Sequence, residues 1–343
     1  MKLIKPYFTI IEQQAGLEGI YRHIEMAGRT CYKSEDKITE TSAKEFVDRM
    51  IKSGHGAMLE HGTVYLMVHT IAPEDWDKKI ARHPLITIDD SREYLRTNPT
   101  CNNKGEENWW AKEARHIAHK MAVKYADNPY SKVKIVTTEH EVNTEGGVII
   151  TPTGKLPIVT KGLGKITSVF NTILITTNFR VLVENNWLDD LKYVCEPTEY
   201  HERRITVKFI CPISISREFN RHRVNSIAEQ STRYCNYSKD KFDNQITFIE
   251  PYWYEKADSY TKNEFDKGLQ YAEGYYMFMV DKGMKPQEAR DILPLCTATE
   301  LVHTAFVSDW KHFFELRCAG SAHPQARELA QPLHEEFIKR NLI

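Results

Sequence analysis

The sequence predicts an α+β fold on three observations. Strand-like runs rich in β-branched and aromatic residues are grouped along the chain. Glycines and prolines, not crossover helices, separate them. The long helical patterns gather toward the carboxy terminus. The 343 residues allow one large domain or two modest ones, and 41% hydrophobic with 27% charged residues is the balance of a soluble globular chain with a sizeable core.

Taken in order, Thr41 to Gly54 reads as a helix, with capping-box spacing at Ser42 and Glu45 and a glycine suited to a left-handed stop. After the histidine-bearing turn His55 to His61, Thr63 to Thr70 has strand composition. The polar stretch from Ala72 to Asp127 includes a helix over Glu106 to Tyr125. Lys132 to Thr160 and Ile166 to Thr177 carry short β-like runs that predict hairpins. Trp187 to Cys195 suits a short helix, and Ile205 to Ile215 a buried strand. An arginine-rich stretch follows, in which Ser226 to Arg233 could begin a helix. Gln245 to Glu250 reads as a strand, and Ser259 to Lys282, Ala298 to Cys318 and Pro324 to Asn341 as helices.

Several classes are disfavoured at once. No apolar run approaches the ~20 residues of a membrane-spanning helix, and Met1 to Glu12 lacks an apolar run ending in a small-residue cleavage site, so we expect a cytoplasmic protein without a membrane partner. A net charge of -1 argues against a globally basic surface for nucleic acid. The seven cysteines are scattered without a CxxC pair, which predicts reduced core residues and no structural zinc. His116 and His119 lack a third metal ligand nearby, and Gly162-Leu163-Gly164 lacks the strand-glycine-helix context of a dinucleotide fingerprint.

Charge is nonetheless concentrated. Between His201 and Arg233 lie seven basic residues and three acidic ones. Arginine suits planar, bidentate capture of phosphate, and a helix start near Ser226 would add free amides for an anion. Ser231, Thr232 and Arg233 are further donors, and Glu229 is an acceptor for ribose hydroxyls or a base imide. A surface salt-bridge network, or a nucleic-acid module using Trp109 and Trp110 for stacking, remains an alternative account of the same residues.

Arg221, His222, Arg223, Ser231 and Arg233 fill every fixed position of an Arg-His-Arg, seven residues, Ser, one residue, Arg pattern. This resembles the signature of the flavin-dependent thymidylate synthases. The run from His55 to His61 is similar to that family's amino-terminal His-x-x-x-x-Glu-His element, and Ala289 to Pro294 and Leu316 to Gln325 to its two carboxy-terminal elements. The resemblance implies a single domain over 1–343 with a central, mostly antiparallel sheet flanked by helices. It leaves residues 72–196 as a β-rich and helical insertion.

The resemblance further implies conversion of dUMP to dTMP, with methylenetetrahydrofolate as one-carbon donor and bound FAD, reduced by NADPH, as hydride carrier. No metal and no catalytic cysteine are implied. FAD would meet Ala57, Arg221, His222, Arg223, Glu229 and His312. The nucleotide would meet Glu218, Arg221, Glu229, Gln230, Ser231, Thr232, Arg233, Arg290 and Arg317, with Arg317 favouring the ionised N3 of uracil as the catalytic group. His55 and His323 would border the folate or flavin. A homotetramer with shared sites is also implied, and an altered member that has lost FAD is the alternative within the family. Glu218 stands where many members have glutamine, an anion whose place near the nucleotide calls for a neighbouring arginine to pair with it. Ala228, Phe306-Val307-Ser308, His312 and Pro324 are further departures from the common pattern.

Overall fold

Residues 204–212 and 298–306 are distant in sequence, yet in the computed structural model they pair along their whole length as the central strands of a sheet. The structure describes residues 1–71, 86–89, 109–143, 149–151, 154–156 and 165–343. These form two compact units, Met1–Thr63 with Arg203–Ile343, and Val64–Glu202.

The first unit opens with strands β1 (Lys2–Ile4) and β2 (Tyr7–Ile11), then helices α1 (Gly16–Tyr32), α2 (Ser42–Lys52) and α3 (Gly56–Leu59). Gly54 has φ of 70°, so it supplies the left-handed stop after α2 that its lack of a Cβ permits. The expected capping box is not formed. Thr41 is the cap residue, and the Ser42 hydroxyl instead accepts from the Thr39 N–H at 2.9 Å and donates to Glu25 at 2.8 Å, tying α2 to α1.

The second unit uses β3 (Thr63–Ile71), β4 (Ile86–Asp89), α4 (Trp109–Ala126), β5 (Lys132–Asn143), β6 (Ile149–Thr151), β7 (Gly154–Leu156), β8 (Lys165–Asn178) and α5 (Phe179–Glu184). Its main sheet has the order β3-β8-β5-β4, and β5 and β8 are long antiparallel partners where only short runs were legible. The Tyr125 hydroxyl donates to Asp190 at 2.8 Å, fastening the end of α4 to the 3-10 turn Leu188–Tyr193. Cys101, Gly162 to Gly164 and the side chains of Trp109, Trp110 and His116 lie outside the described residues.

The first unit resumes with β9 (Arg204–Pro212), α6 (Ile213–Phe219), β10 (Ser226–Glu229), β11 (Thr247–Ile249), α7 (Ser259–Asp281), α8 (Pro286–Ala289), β12 (Ala298–Phe306), α9 (Val307–Arg317) and α10 (Pro324–Lys339). Its four-stranded sheet has the order β10-β12-β9-β2 and is antiparallel throughout. Two expectations are corrected here. Ser226 to Glu229 is a strand, not a helix start, because it pairs with β12 in the register Ser226 with Thr304 and Glu229 with Leu301. Ala298 to Cys318 is a strand followed by a helix. Its first nine residues all pair with β9, and Leu301 to Thr304 pair with β10 as well, so ladder pairing overrides a helical reading of that stretch.

The two faces of this sheet differ in chemistry because side chains alternate along each strand. One face carries Ile205, Val207, Phe209, Cys211, Leu301 and Ala305, which pack with Trp310, Phe313 and Phe314 of α9 and Leu329, Leu333 and Phe337 of α10. The other carries Thr206, Thr304 and Ser226 in one cross-strand row. Over that row the Thr206 and Thr304 hydroxyls lie 2.8 Å apart, and His23 Nε2 and His61 Nδ1 each share a 2.8 Å hydrogen bond with one of them. Arg204 donates to Ser226 Oγ at 2.8 Å and to the Glu60 carbonyl at 3.0 Å, so α3 is docked by the same polar face. No helix among the described residues is long and apolar enough to cross a membrane.

Burial holds these histidines neutral. It lowers the pKa of His23 to about 4 and that of His303, on the opposite face, to about 3, and it places His61 well below its ordinary value. Below about pH 6.5 the unfolded chain takes up protons that the folded chain refuses, so stability falls as pH drops from there toward 4. Each such histidine costs on the order of 1.4 kcal/mol per pH unit across that window. Calorimetric Tm values are expected to drop steeply from pH 7 to pH 5. A Tm that stays level over that range would contradict the neutral, buried assignment.

Candidate active site

Helix α6 ends in a tight turn that delivers the arginine pair. The His222 N–H donates to the Phe219 carbonyl at 3.2 Å, and the Asn225 N–H to the His222 carbonyl at 3.2 Å. This coils the chain so that His222 is buried while Arg221 and Arg223 on either side are exposed. The ring of His222 lies 5.0 Å from that of Phe313 and 6.1 Å from that of His312, both on α9.

Arg317, the last residue of α9, meets this turn with three donors. Nη1 donates to Glu218 Oε2 at 2.8 Å, Nη2 to the Glu218 carbonyl at 2.6 Å, and Nε to His222 Nε2 at 3.1 Å. The neighbouring arginine that Glu218 required is therefore Arg317. Because His222 Nε2 accepts, its proton resides on Nδ1. Burial, Arg317 and His312 together push the His222 pKa down to about 4, so the ring is neutral at physiological pH. Burial also lowers the Arg317 pKa, Glu218 opposes that shift, and Arg221 adds to it.

Glu229 is fixed on the same side of the sheet. Its Oε1 accepts from Ser216 at 2.7 Å and Thr299 at 3.2 Å, and its Oε2 accepts from Asn220 at 2.8 Å. A carboxylate offers about four acceptor positions, which leaves one open. Beyond β10 the chain turns: the Gln230 N–H donates to the Glu300 carbonyl at 2.8 Å, Ser231 to the Cys31 carbonyl at 2.9 Å, and Cys235 to the Ser231 carbonyl at 3.0 Å. Arg290 reaches this turn, donating to Thr232 Oγ1 at 3.1 Å. Arg233 is exposed, 5.3 Å over the Tyr234 ring.

The anchors of this turn were not legible as site residues. Lys33 and Lys208 both pair with the Glu300 carboxylate; burial alone would raise the Glu300 pKa, and the two ammonium groups more than offset it. His303 was hidden inside a stretch read as helix. It receives a 2.6 Å hydrogen bond from Asn225 Nδ2, which ties the arginine-bearing turn to β12. A strand reading of Ala298 to Phe306 would have placed His303 on the inner face with Leu301 and Ala305.

Of the other expected site residues, His55, Ala57 and His323 lie apart from this cluster, while His312 borders it. His55 and Ala57 are exposed at the start of α3. His323 is the cap of α10, where it accepts from the Gln325 N–H at 3.2 Å and Pro324 occupies the first turn. His312 is exposed on α9 and sits 3.5 Å from Glu315. No hydrogen bond or ring contact joins His55, Ala57 or His323 to Arg317 or His222 among the described residues. The described cysteines are unpaired, and burial raises them all, Cys31 to about 12 and Cys195 and Cys296 to about 11, so none is a ready thiolate. Among the described residues no cluster of three His, Cys, Asp or Glu could hold a metal ion.

Comparison with known proteins addresses this region. Residues 197–340 match the family model described as thymidylate synthase complementing protein. A flavin-dependent thymidylate synthase from Pyrococcus horikoshii is 38% identical over 130 residues, 38% of this chain and 52% of the relative. One from Pyrococcus furiosus is 29% identical over 133 residues, 39% of this chain and 53% of the relative. The chain thus spans about half the length of the curated relatives it matches. Among solved structures, a UMP/dUMP methylase PolB from Streptomyces cacaoi bound with 5-Br UMP aligns with a TM-score of 0.34 and 20% identity, over 40% of this chain and 69% of that chain. That likeness is too slight to bear on fold or function. The segment 197–340, which holds the Arg-His-Arg turn, Glu229, Arg290 and Arg317, is thus similar to the thymidylate synthase complementing protein model and to flavin-dependent thymidylate synthases.

Proposed function

We propose that the chain is a flavin-dependent thymidylate synthase that forms dTMP from dUMP in the cytoplasm, with methylenetetrahydrofolate as one-carbon donor and NADPH as reductant of bound FAD. The observation that carries this reading is the meeting of Arg317 with Glu218 and the neutral His222, beside two exposed arginines, inside the family segment. The second unit, Val64–Glu202, interrupts the first in sequence, and we read it as an elaboration inserted into the synthase domain.

The donors fit a flavin dinucleotide. Arg221 and Arg223 are exposed and form no ion pair among the described residues, so both guanidinium groups are available to neutralise a pyrophosphate. The neutral imidazole between them adds an uncharged edge for a ring or ribose. His312, Ala57 and the open acceptor of Glu229 complete the FAD set, and His55 and His323 border the flavin or folate. The flavin, when bound, supplies the hydride.

The nucleotide falls to the turn after β10. Ser231, Thr232, Arg233 and Arg290 present donors to the phosphate, with Gln230 and Glu229 closing on the sugar and base. Arg317 would stabilise negative charge on N3 and O2 of the uracil, which directs electron density to C5. Glu218 enters this set through Arg317, and Arg221 lies close enough to Arg317 to lower its pKa. Thiolate attack on the ring is disfavoured by the raised pKa of every described cysteine.

Assembly is supported by α7. Tyr271, Tyr275 and Phe278 recur at helical spacing and are 67%, 60% and 58% exposed, an aromatic stripe that a single copy leaves in water. We assign its cover to a second copy of the chain within a homotetramer.

Three outcomes are expected. Purified protein should be yellow, with flavin absorbance near one per chain; a colourless protein that takes up no FAD contradicts the reading. Arg317→Ala should keep its flavin and lose dUMP-dependent dTMP formation by about two orders of magnitude or more, as removal of a transition-state charge stabiliser does. Near-normal turnover would remove Arg317 from its role. Light scattering should give four copies, and Tyr271→Glu with Tyr275→Glu should release smaller species; a wild-type monomer contradicts the assembly.

A further inference from the structure

Helix α1 ends on a backbone conformation that its residue does not favour. Glycines aside, positive φ among the described residues is found at Asn186, Asp243, Asn244 and Asn341, whose short polar side chains tolerate the left-handed region, and at Lys33, with φ of 46°. At Lys33 the chain stops the helix: the Ser34 N–H donates back to the Arg29 carbonyl at 3.0 Å, in a position where glycine is the usual residue. A lysine kept there at a cost to the backbone calls for a role for its side chain. Its Nζ pairs with the Glu300 carboxylate on β12 and lies 3.5 Å from Glu35.

That pair joins the two supports of the turn after β10. The Gln230 N–H donates to the Glu300 carbonyl on β12 at 2.8 Å, and the next N–H, that of Ser231, donates to the Cys31 carbonyl in the last turn of α1 at 2.9 Å. Successive amides are therefore held by different elements, and the spacing of the two acceptors sets the direction in which Ser231, Thr232 and Arg233 leave the strand. The Lys33 ammonium binds those elements to each other beside both acceptors. The remaining contacts of this helix end go to the chain beyond the turn. The Tyr234 ring lies 5.3 Å from that of Tyr32, and Lys241 donates to the Lys33 carbonyl at 2.9 Å. They hold the turn to α1 but do not hold α1 to β12.

We propose that Lys33 is a positioning residue for the nucleotide phosphate, acting through Glu300 and Cys31 on the backbone of Gln230 and Ser231. The proposal rests on the synthase reading above, which gives the phosphate to this turn. Helix α1 has other anchors on the sheet, at His23 on Thr206 and at Ala27 beside Ala228 and Val302, and Lys208 keeps Glu300 paired. Loss of the Lys33 ammonium thus loosens the turn without undocking the helix or leaving the carboxylate alone. The phosphate takes no part in the chemistry at the base, so a misplaced turn weakens ground state and transition state alike and raises KM rather than lowering kcat.

Lys33→Gly tests this, because glycine adopts the left-handed backbone freely and only the side chain is lost. In the full-length, flavin-loaded protein with NADPH and methylenetetrahydrofolate, KM for dUMP is expected to rise about tenfold while kcat and flavin content stay within about threefold. Lys33→Arg, which keeps a cation, should bring KM back toward wild type. A KM in the glycine variant within about twofold of wild type overturns the proposal. So does a loss of kcat and flavin in step with KM, which marks general damage to the fold. If the glycine variant fails to fold, Lys33→Met removes the charge, keeps the stem and carries the same test. Amide exchange read without substrate tests the tether by itself: Gln230 and Ser231 should exchange about tenfold faster in the glycine variant, and unchanged exchange overturns the tether. Wild-type protein that neither binds dUMP nor forms dTMP overturns the synthase reading, and the nucleotide role of Lys33 with it. Wild-type turnover with an unshifted KM in the variants overturns the role of Lys33 alone.

Discussion

The first unit depends on one pairing, the full-length antiparallel ladder between β9 and β12. Each strand is flanked on both sides and alternates between an apolar face and a polar one. The apolar face provides the driving force for burying α9 and α10, and the Trp310, Phe313 and Phe337 rings interlock within it. The polar face could not be buried by apolar contact alone. Its hydroxyl row is satisfied by His23 and His61, and those bonds fix where α1 and the turn carrying Glu60 must dock. A one-residue slip of either strand would turn each face over, so the register is specified twice.

That ladder also explains how Arg317 and Glu218 come to meet. β9 leads into α6 at one end of the pair, and β12 leads into α9 at the other, because Pro212 lies opposite Ala298 and Phe306 opposite Arg204. Nine-residue strands span roughly 27 Å end to end. A seven-residue helix and an eleven-residue helix cover about 10 Å and 16 Å. Helices of those lengths that return across the same face bring their carboxy-terminal ends together near its middle. Phe219 and Phe313, 4.9 Å apart, pack the two ends against each other. The carbonyls at the end of a helix lack internal partners and carry partial negative charge. Arg317 donates to one of them, so it satisfies the end of α6 with the same guanidinium that pairs with the carboxylate.

The sequence made part of this legible. Helices α2, α7 and α10 carry caps or strong periodicity of their own, and β9 is an apolar run with few competing readings. The five-position arginine motif needs no structure to be seen. Ser226 to Arg233 and Ala298 to Cys318 were misread because their conformation is decided by partners remote in sequence. Ser226 to Glu229 is a strand because β12 offers it a ladder, and Ala298 to Phe306 because it is sandwiched between β9 and β10. A helix over Ser226 to Arg233 would have added its terminal amides to the side-chain donors, and no helix forms there. Ser231, Thr232 and Arg233 instead sit in a turn that Glu300, Cys31 and Arg290 hold in place. The residues of the motif were legible, while the backbone presenting them was not.

Charge pairing divides the basic residues by role. Arg204 is bonded into the polar face, Lys208 and Lys33 into Glu300, and Arg29 into Glu25 at 2.9 Å on α1. These cations are committed to contacts within the first unit, and removing Glu300 would leave two half-buried ammonium groups side by side. Arg221 and Arg223 have no such commitment among the described residues and stand exposed on either side of a buried, neutral histidine. Arg317 lies between these classes, since its carboxylate partner is the more exposed member of the pair. A net charge of -1 is therefore compatible with a strongly cationic site. Arg221 and Arg223 are cations that the fold leaves exposed and without an anion among the described residues, and the turn that holds them is fixed by the neutral His222 and Asn225 beside them.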